Sequence, residues 1–431
     1  MSKFETKTGW IVTLSGTGIN LALGILYTWS VIKGGIPVSW GWSNAARALP
    51  YSVACICFAI AMIPAGRLQD AIGPRWVATI GGVLTGLGCI IAGLSGSSLT
   101  GFVIGFGILA GFGIGFGYAS ATPPAVKWFP PKKTGMIAGI VVSGFGLASV
   151  YIAPLANKLL HVFSKGTGLL DPLTGVEVVE KGVSSTMITF GIGFLLVVTV
   201  LSQFLRNPSA AQPNPSPSKD GKSSIVAPSG SDTTWKHMLR CSQFYILWII
   251  FFAGASAGLT FISVAQDFGR RSLGELAFLA VVVLAIGNAG GRILAGTLSD
   301  IIGRQWTLFL TLITQAVVLA VLYLVQGGAG WLSMMMIVLL IGANYGSNLS
   351  LFPSAARDYF GLKNFGLNYG ILFSAWGAAG LIGPWVHGRI KDVTGSNDLT
   401  YFIIIGMLLA AAALTFVSRA IAAREKRAPA A

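Results

Sequence analysis

Long apolar stretches separated by short polar ones run through the whole chain. A bilayer core about 30 Å thick takes about 20 apolar helical residues to cross. Twelve stretches reach that length. They lie near residues 10–33, 46–66, 76–95, 100–122, 135–157 and 185–206, then near 244–266, 275–298, 304–325, 331–353, 366–388 and 400–418. The pattern therefore predicts an all-α membrane protein with twelve transmembrane helices. Between the sixth and seventh stretches stands NPSAAQPNPSPSKDGKSSIVAPSGSD, residues 207–232. It is rich in Pro, Ser, Gly and Lys and has no apolar period, which marks a flexible polar linker. The expected organisation is a six-helix bundle over 1–206, a linker over 207–240 and a second six-helix bundle over 241–431.

Composition agrees with this picture. The 431 residues are 54% hydrophobic and 10% charged, whereas soluble domains carry roughly 25% charged residues. Fifty-seven glycines suit helices whose backbones approach closely in a membrane. The opening MSKFETKTGW lacks the pattern of a cleavable signal, so the first apolar stretch is expected to be a retained span.

A net charge of +15 would suggest nucleic acid in a soluble protein. Sorting the basic residues by loop removes that need. The two termini, the linker and the loops on their side hold nineteen Lys and Arg; the opposite loops hold nine, and Arg292 is the remaining one. The acids divide seven and seven. A one-sided basic excess marks the cytoplasmic face. Both termini are thus expected inside a multi-pass protein of the inner cell membrane, with the lipid bilayer as its surroundings and no nucleic-acid partner.

No enzyme chemistry is legible. The four cysteines, Cys55, Cys57, Cys89 and Cys241, and the isolated histidines His161, His237 and His387 have no metal-binding spacing. GFGIGFG, residues 111–117, resembles a dinucleotide fingerprint but has no preceding strand and no following ribose-binding acid. Helix-packing glycines account for it better. No cofactor, metal or nucleotide-driven step is expected.

The two halves repeat each other. GRLQDAIGPRW (Gly66 to Trp76) corresponds to GTLSDIIGRQW (Gly296 to Trp306), and WFPPKKTGMIAGIVVSGFG (128–146) to YFGLKNFGLNYGILFSAWG (359–377), at nearly the same offset. Six-span repeats of this kind form the halves of alternating-access carriers. The pattern Gly-x-x-x-Asp-x-x-Gly-Arg resembles the loop signature of the major facilitator superfamily. GTLSDIIGR fits it fully, and GRLQDAIGPR fits with its arginine displaced to Arg75. The resemblance implies two pseudo-symmetric six-helix bundles. It also implies a gating role for Gly66, Asp70, Arg75, Gly296, Asp300 and Arg304.

One charge does not repeat. Arg292 stands inside the eighth span, and the first-half positions that correspond to Asn288 and Arg292 are Phe58 and Met62. Ionisable residues at membrane depth mark substrate paths. Structural pairing and snorkelling are the alternatives; against snorkelling, helical side chains lean toward the helix N-terminus, which here points Arg292 toward the midplane. A guanidinium fork reads a carboxylate through two parallel bonds. Asn288, one turn earlier, shares its face. It could donate to the same anion, hold the guanidinium, or bond a neighbouring helix. Tyr118 and Trp376 are the preferred further contacts, a hydroxyl for the carboxylate and an indole for an apolar tail. Tyr27, Asn344, Asn348, Tyr369 and Ser374 fit either ligand contact or packing.

Within the superfamily the chain resembles the monocarboxylate transporter and oxalate:formate exchanger group, through GNAGGR in span 8, Gly9-Trp10, LYTWSV in span 1 and FGLNYGILFSAWG in span 11. Two departures stand out. Animal-type monocarboxylate carriers have an aspartate at the position of Asn288. Oxalate exchangers have a lysine in span 11, where this chain has none between Phe365 and His387. One cation pairs best with one carboxylate, so the expected substrate is a small monocarboxylate, lactate- or pyruvate-like. A proton partner is implied by the resemblance, with Asp267 and Glu275 either its site or ordinary surface charges. An oxalate:formate-type exchanger and a non-transporting sensor are the alternatives.

Overall fold

A computed structural model of the protein describes residues 3–129, 134–170, 177–180, 182–208, 233–325, 330–361 and 365–425. Among the described residues, twelve helices are long and apolar enough to cross a membrane. In order, spans 1 to 6 are Lys7–Gly34, Asn44–Gln69, Pro74–Leu94, Leu99–Lys127, Ile137–Val162 and Val183–Ser202. Spans 7 to 12 are Ser242–Ala265, Phe278–Ser299, Arg304–Val325, Trp331–Phe360, Leu367–Thr394 and Asp398–Ile421. Every stretch expected from the apolar pattern is a helix. Most of the linker expected at 207–240 lies outside the described residues. Its end is anchored: Thr233 donates its amide to Phe360 O at 3.1 Å, and Asn368 Nδ2 donates to Thr233 O at 2.8 Å.

The repeated motif has a backbone reason. Gly73 has φ +86° and Gly303 has φ +91°. Both residues stop a helix by taking a conformation that a side chain disfavours. They hold the same place in the two copies of the motif, and they break the chain between spans 2 and 3 and between spans 8 and 9. The last glycine of each motif is therefore a turn requirement.

Irregular elements stand among the helices. Span 1 tightens into a 3-10 turn over Gly24–Thr28, and span 4 widens into a π-helical stretch over Val103–Ala110. Between spans 5 and 6, Lys165–Leu170 pairs antiparallel with Glu177–Glu180. That hairpin lies outside the all-helical expectation. The stretch 111–117 is helical and packs tightly: a Cβ on Gly113 would meet Thr85 and the main chain of Gly81 in span 3. It is helix-packing surface, as its lack of a strand implied.

The halves meet along two seams, span 2 against span 11 and span 5 against span 8. At the end away from the termini, called the far end, polar contacts tie the halves together. Asp392 of span 11 accepts from Asn44 N at 2.8 Å, Asn44 Nδ2 at 2.9 Å and Ala45 N at 3.0 Å. The two amides are among the unsatisfied donors that begin span 2, and a carboxylate is a favourable partner there. Lys33 Nζ donates to Ser263 O at 3.2 Å, and Tyr51 Oη to Leu259 O at 3.3 Å.

Candidate functional site

Small residues set the geometry around Arg292. Gly287 and Gly291 lie one turn apart on span 8. A Cβ on either would overlap the main chain of span 10 at Leu339 or Ala343. Gly342 and Gly346 reciprocate against Leu284 and Asn288. Spans 8 and 10 thus pack backbone to backbone. Asn288 and Arg292 each follow one of these span 8 glycines, about 100° around the helix. They project beside that seam, toward span 5 of the other half.

Arg292 Nε donates to Asn288 Oδ1 at 3.1 Å, and Nη1 donates to Val142 O of span 5 at 3.1 Å. The guanidinium lies over Gly146, one turn along span 5 from Val142. Its bond to Asn288 shows that the side chain leans toward the N-terminus of span 8, away from the termini end. Two donors are left: Arg292 Nη2 and Asn288 Nδ2 are buried and have no hydrogen-bond acceptor among the described residues. Buried donors of this kind are costly unless something accepts from them.

A connected set of aromatic rings joins spans 1, 2, 4, 5 and 11 between the halves. Phe145 makes edge contacts with Tyr27 at 5.0 Å and Tyr118 at 5.3 Å. Phe58 contacts Tyr118 at 5.3 Å and Trp376 at 5.1 Å, and Trp376 stacks on Phe373 at 5.0 Å. Tyr345 joins the halves through its hydroxyl. It is 2.8 Å from Tyr27 Oη and accepts from Trp376 Nε1 at 2.8 Å.

The residues expected at the site fall into two groups. Arg292 and Asn288 stand together between the halves, and Tyr27, Tyr118, Tyr369 and Trp376 belong to the ring cluster that Phe145, Phe58 and Phe373 connect. Asn348 and Ser374 are engaged elsewhere. Asn348 Nδ2 donates to Asn344 O within its own helix at 3.2 Å, and its side chain lies against Gly254 of span 7. Ser374 Oγ accepts from Trp248 Nε1 at 3.0 Å. The sequence pattern does not single out Tyr345, Phe145 or Phe373. Phe58 carries one usable signal, its correspondence with Asn288 in the repeat.

The motif residues differ between the halves. Arg304 pairs with Asp358 of span 10 at 3.2 Å and also bonds Ser299 Oγ. Arg75 instead stands over the ring of its neighbour Trp76 at 5.5 Å. The repeat explains the asymmetry: the first-half counterpart of Asp358 is Lys127, a cation that cannot pair with Arg75. Gly66 and Gly296 face open space, with no described atom within 4 Å of a Cβ built on either. Asp70, Asp300, Asp267 and Glu275 lie on described helical backbone, but their side chains are outside the described residues. No group of three or more His, Cys, Asp and Glu that could hold a metal ion occurs among the described residues.

The sequence profile of the Major Facilitator Superfamily matches residues 9–384. The oxalate:formate antiporter of Oxalobacter formigenes is 28% identical over 403 residues, covering 91% of this chain and 87% of that protein. The apicoplast pyruvate carrier 1 of Toxoplasma gondii is 24% identical over 400 residues, covering 81% of this chain and 70% of that protein. Among solved structures, a D-xylose-proton symporter superposes with a TM-score of 0.69 at 14% identity, covering 94% of this chain and 97% of its own. That likeness is one of fold alone.

Proposed function

The chain belongs to the major facilitator superfamily, and on that premise we propose that it carries a small monocarboxylate, lactate- or pyruvate-like, by alternating access. The supporting observation is the pair of buried donors left open beside one cation, Arg292 Nη2 and Asn288 Nδ2. A carboxylate supplies two acceptor oxygens on one planar group, which suits a guanidinium edge and a neighbouring amide. The ring wall of Phe58, Phe145 and Trp376 leaves an apolar surround for a short tail. Tyr118 supplies a hydroxyl in the same ring cluster. Tyr27 and Tyr369 belong to that cluster too, while Asn348 and Ser374 contribute through packing.

In the proposed cycle the anion binds between the halves and compensates Arg292. A compensated charge passes through an occluded state at lower cost than a bare one. Opening at the termini end is then governed by the motif residues Asp70, Arg75, Asp300 and Arg304, with Gly66 and Gly296 offering surface for the closed gate. Proton symport accompanies the anion in this reading, with Asp267 and Glu275 as the candidate acids. The membrane is the inner cell membrane, with the termini cytoplasmic as the basic residues imply.

Exchange of an oxalate-like dicarboxylate for formate is the second reading, favoured by the 28% identity to an oxalate:formate antiporter. Trp376, buried near the middle of span 11, weighs against a second cation there. The test is uptake of lactate, pyruvate, formate and oxalate by the purified chain in proteoliposomes, with and without an acid-outside gradient. Acid-driven monocarboxylate uptake supports the proposal. Flux seen only as counter-exchange with internal oxalate or formate supports the second reading. Absence of flux for all four anions would sink both.

A further inference from the structure

Trp76 and Trp306 hold the same place in the two copies of the repeated motif, and both are exposed at the termini end. Each has a guanidinium over its ring, Arg75 at 5.5 Å and Arg419 at 5.4 Å. Lys236 stands over Trp235 at 5.7 Å, just before span 7. In the first and third pairs the cation is the ring's neighbour in sequence. The second is built from two helices: Trp306 opens span 9, and Arg419 lies near the end of span 12. Its ring also has ring partners. Trp306 meets Phe309 of span 9 edge-on at 5.9 Å and Phe416 of span 12 at 5.7 Å, and the two phenylalanines are 4.9 Å apart.

Two pairs of residues three apart thus face each other. Phe309 lies one turn deeper than Trp306. Span 12 runs the other way, so Phe416 lies one turn deeper than Arg419. Each step is about 4.5 Å by helical rise. A cation on an indole stands outermost, and apolar rings stand beneath it. Arg419 and Phe416 are exposed. The ion pairs among the described residues belong to Arg304 and Arg357, so Arg419 has none. The one acid in spans 9 and 12 is Asp398, at the other end of span 12. Past Arg419 the chain reads AIAAREKR, with three cations to one acid.

We propose that Arg419 and Trp306 bind the headgroup phosphate of an anionic phospholipid, with Phe309 and Phe416 seating the start of its acyl chains. Contact with the indole occupies the face of the guanidinium and leaves its N–H edge outward. That edge is a fork that matches two phosphate oxygens. The depth order fits a lipid as well. Tryptophans sit at headgroup level, and a phospholipid carries its phosphate outermost with apolar chains below, the same order as Arg419 over the two phenylalanines. Net charge selects among lipids. A zwitterionic headgroup brings an ammonium of its own, and spans 9 and 12 offer it no acid at this end. An anionic headgroup needs no such partner. The site lies apart from the substrate region and does not depend on which anion the chain carries.

The experiment places the full chain in phosphatidylcholine vesicles that contain rising fractions of a brominated lipid, whose bromines quench indole fluorescence on contact. The Trp306 signal is the emission lost in Trp306→Phe. Brominated phosphatidylglycerol is expected to quench that signal at a lower fraction than brominated phosphatidylcholine does. Arg419→Gln, read against its own Trp306→Phe double variant, should raise the half-quenching fraction of phosphatidylglycerol about fivefold at low salt, the change one basic residue makes at an anionic lipid surface. It should leave the phosphatidylcholine curve unchanged. Arg419→Lys keeps the charge without the fork and should fall between. Inorganic phosphate added to the same vesicles should not relieve the quenching. Equal quenching by the two lipids in the wild-type chain overturns the proposal, and that comparison needs no Arg419 variant to fold. An unchanged half-point in Arg419→Gln overturns it too. Relief by inorganic phosphate would assign the site to a soluble anion and overturn the lipid.

Discussion

Arg292 on span 8 donates to the main-chain carbonyl of Val142 on span 5, 3.1 Å away, so the buried cation of one half is held partly by the other. Its remaining bond is to Asn288 on its own helix, and its last nitrogen has no acceptor among the described residues. A guanidinium placed this way bridges the halves and leaves one nitrogen open. The predictions below follow from that arrangement and from the contacts that support it.

Asn288→Asp should convert a neutral partner of Arg292 into a charged one. The introduced carboxylate would compete with substrate for the guanidinium. Lactate uptake at neutral pH should fall about tenfold or more, the order of one charge-assisted bond. The sign with pH is fixed: the introduced acid is neutral below its own pKa, so activity should recover as pH falls and be lost as pH rises. A pH–rate profile parallel to wild type would contradict this.

Gly291→Ala and Gly296→Ala, on the same helix, should separate packing from gating. A methyl on Gly291 has nowhere to go, because the Ala343 backbone occupies the space. Overpacking of this kind costs typically about 1–3 kcal/mol or more, so the melting temperature in detergent should drop sharply. Gly296→Ala meets no described atom within 4 Å and should melt like wild type. If the open surface at Gly296 is used by the closed gate, transport should slow at unchanged stability. A shared stability loss would contradict the packing argument.

Tyr345→Phe removes the hydroxyl that serves both Tyr27 and Trp376. Trp376 Nε1 is then left as a buried donor without its acceptor, at a cost of about 1–3 kcal/mol. The melting temperature should fall, and the fluorescence of Trp376 should shift. Transport should fall less than in variants of Arg292, because the lost group ties the halves together and does not bear charge.

Arg304→Gln and Arg75→Gln should be unequal. Arg304 bonds Asp358 and Ser299, whereas Arg75 lies over its own Trp76. The Arg304–Asp358 pair is partly exposed and contributes on the order of 1 kcal/mol at most. Its loss should therefore change gate populations by about fivefold with little effect on melting. Arg75→Gln, which loses one exposed cation–π contact and no ion pair among the described residues, should change the rate less than Arg304→Gln does. Initial uptake rates of the two variants decide this.

The spans and the repeat were legible because apolar length and a constant offset between the halves survive in one sequence. The facing of Asn288 and Arg292 was legible too, since one helical turn separates them. The ring wall was not. Phe58, Phe145 and Phe373 sit in spans where apolar residues are the rule, so no local pattern sets them apart. Tyr345 escaped because its role depends on Tyr27 and Trp376 arriving from spans 1 and 11. Lys33 escaped because counting along its helix cannot show that span 7 covers it. Asn348 and Ser374 had suitable polarity, but Asn344 O and Trp248 engage them, a matter of packing that polarity does not reveal.

The most direct measurement is lactate uptake by Arg292→Ala in proteoliposomes, beside its melting curve in detergent. The account predicts uptake at the level of empty liposomes from a chain that melts near wild type. Full uptake by that variant would contradict it.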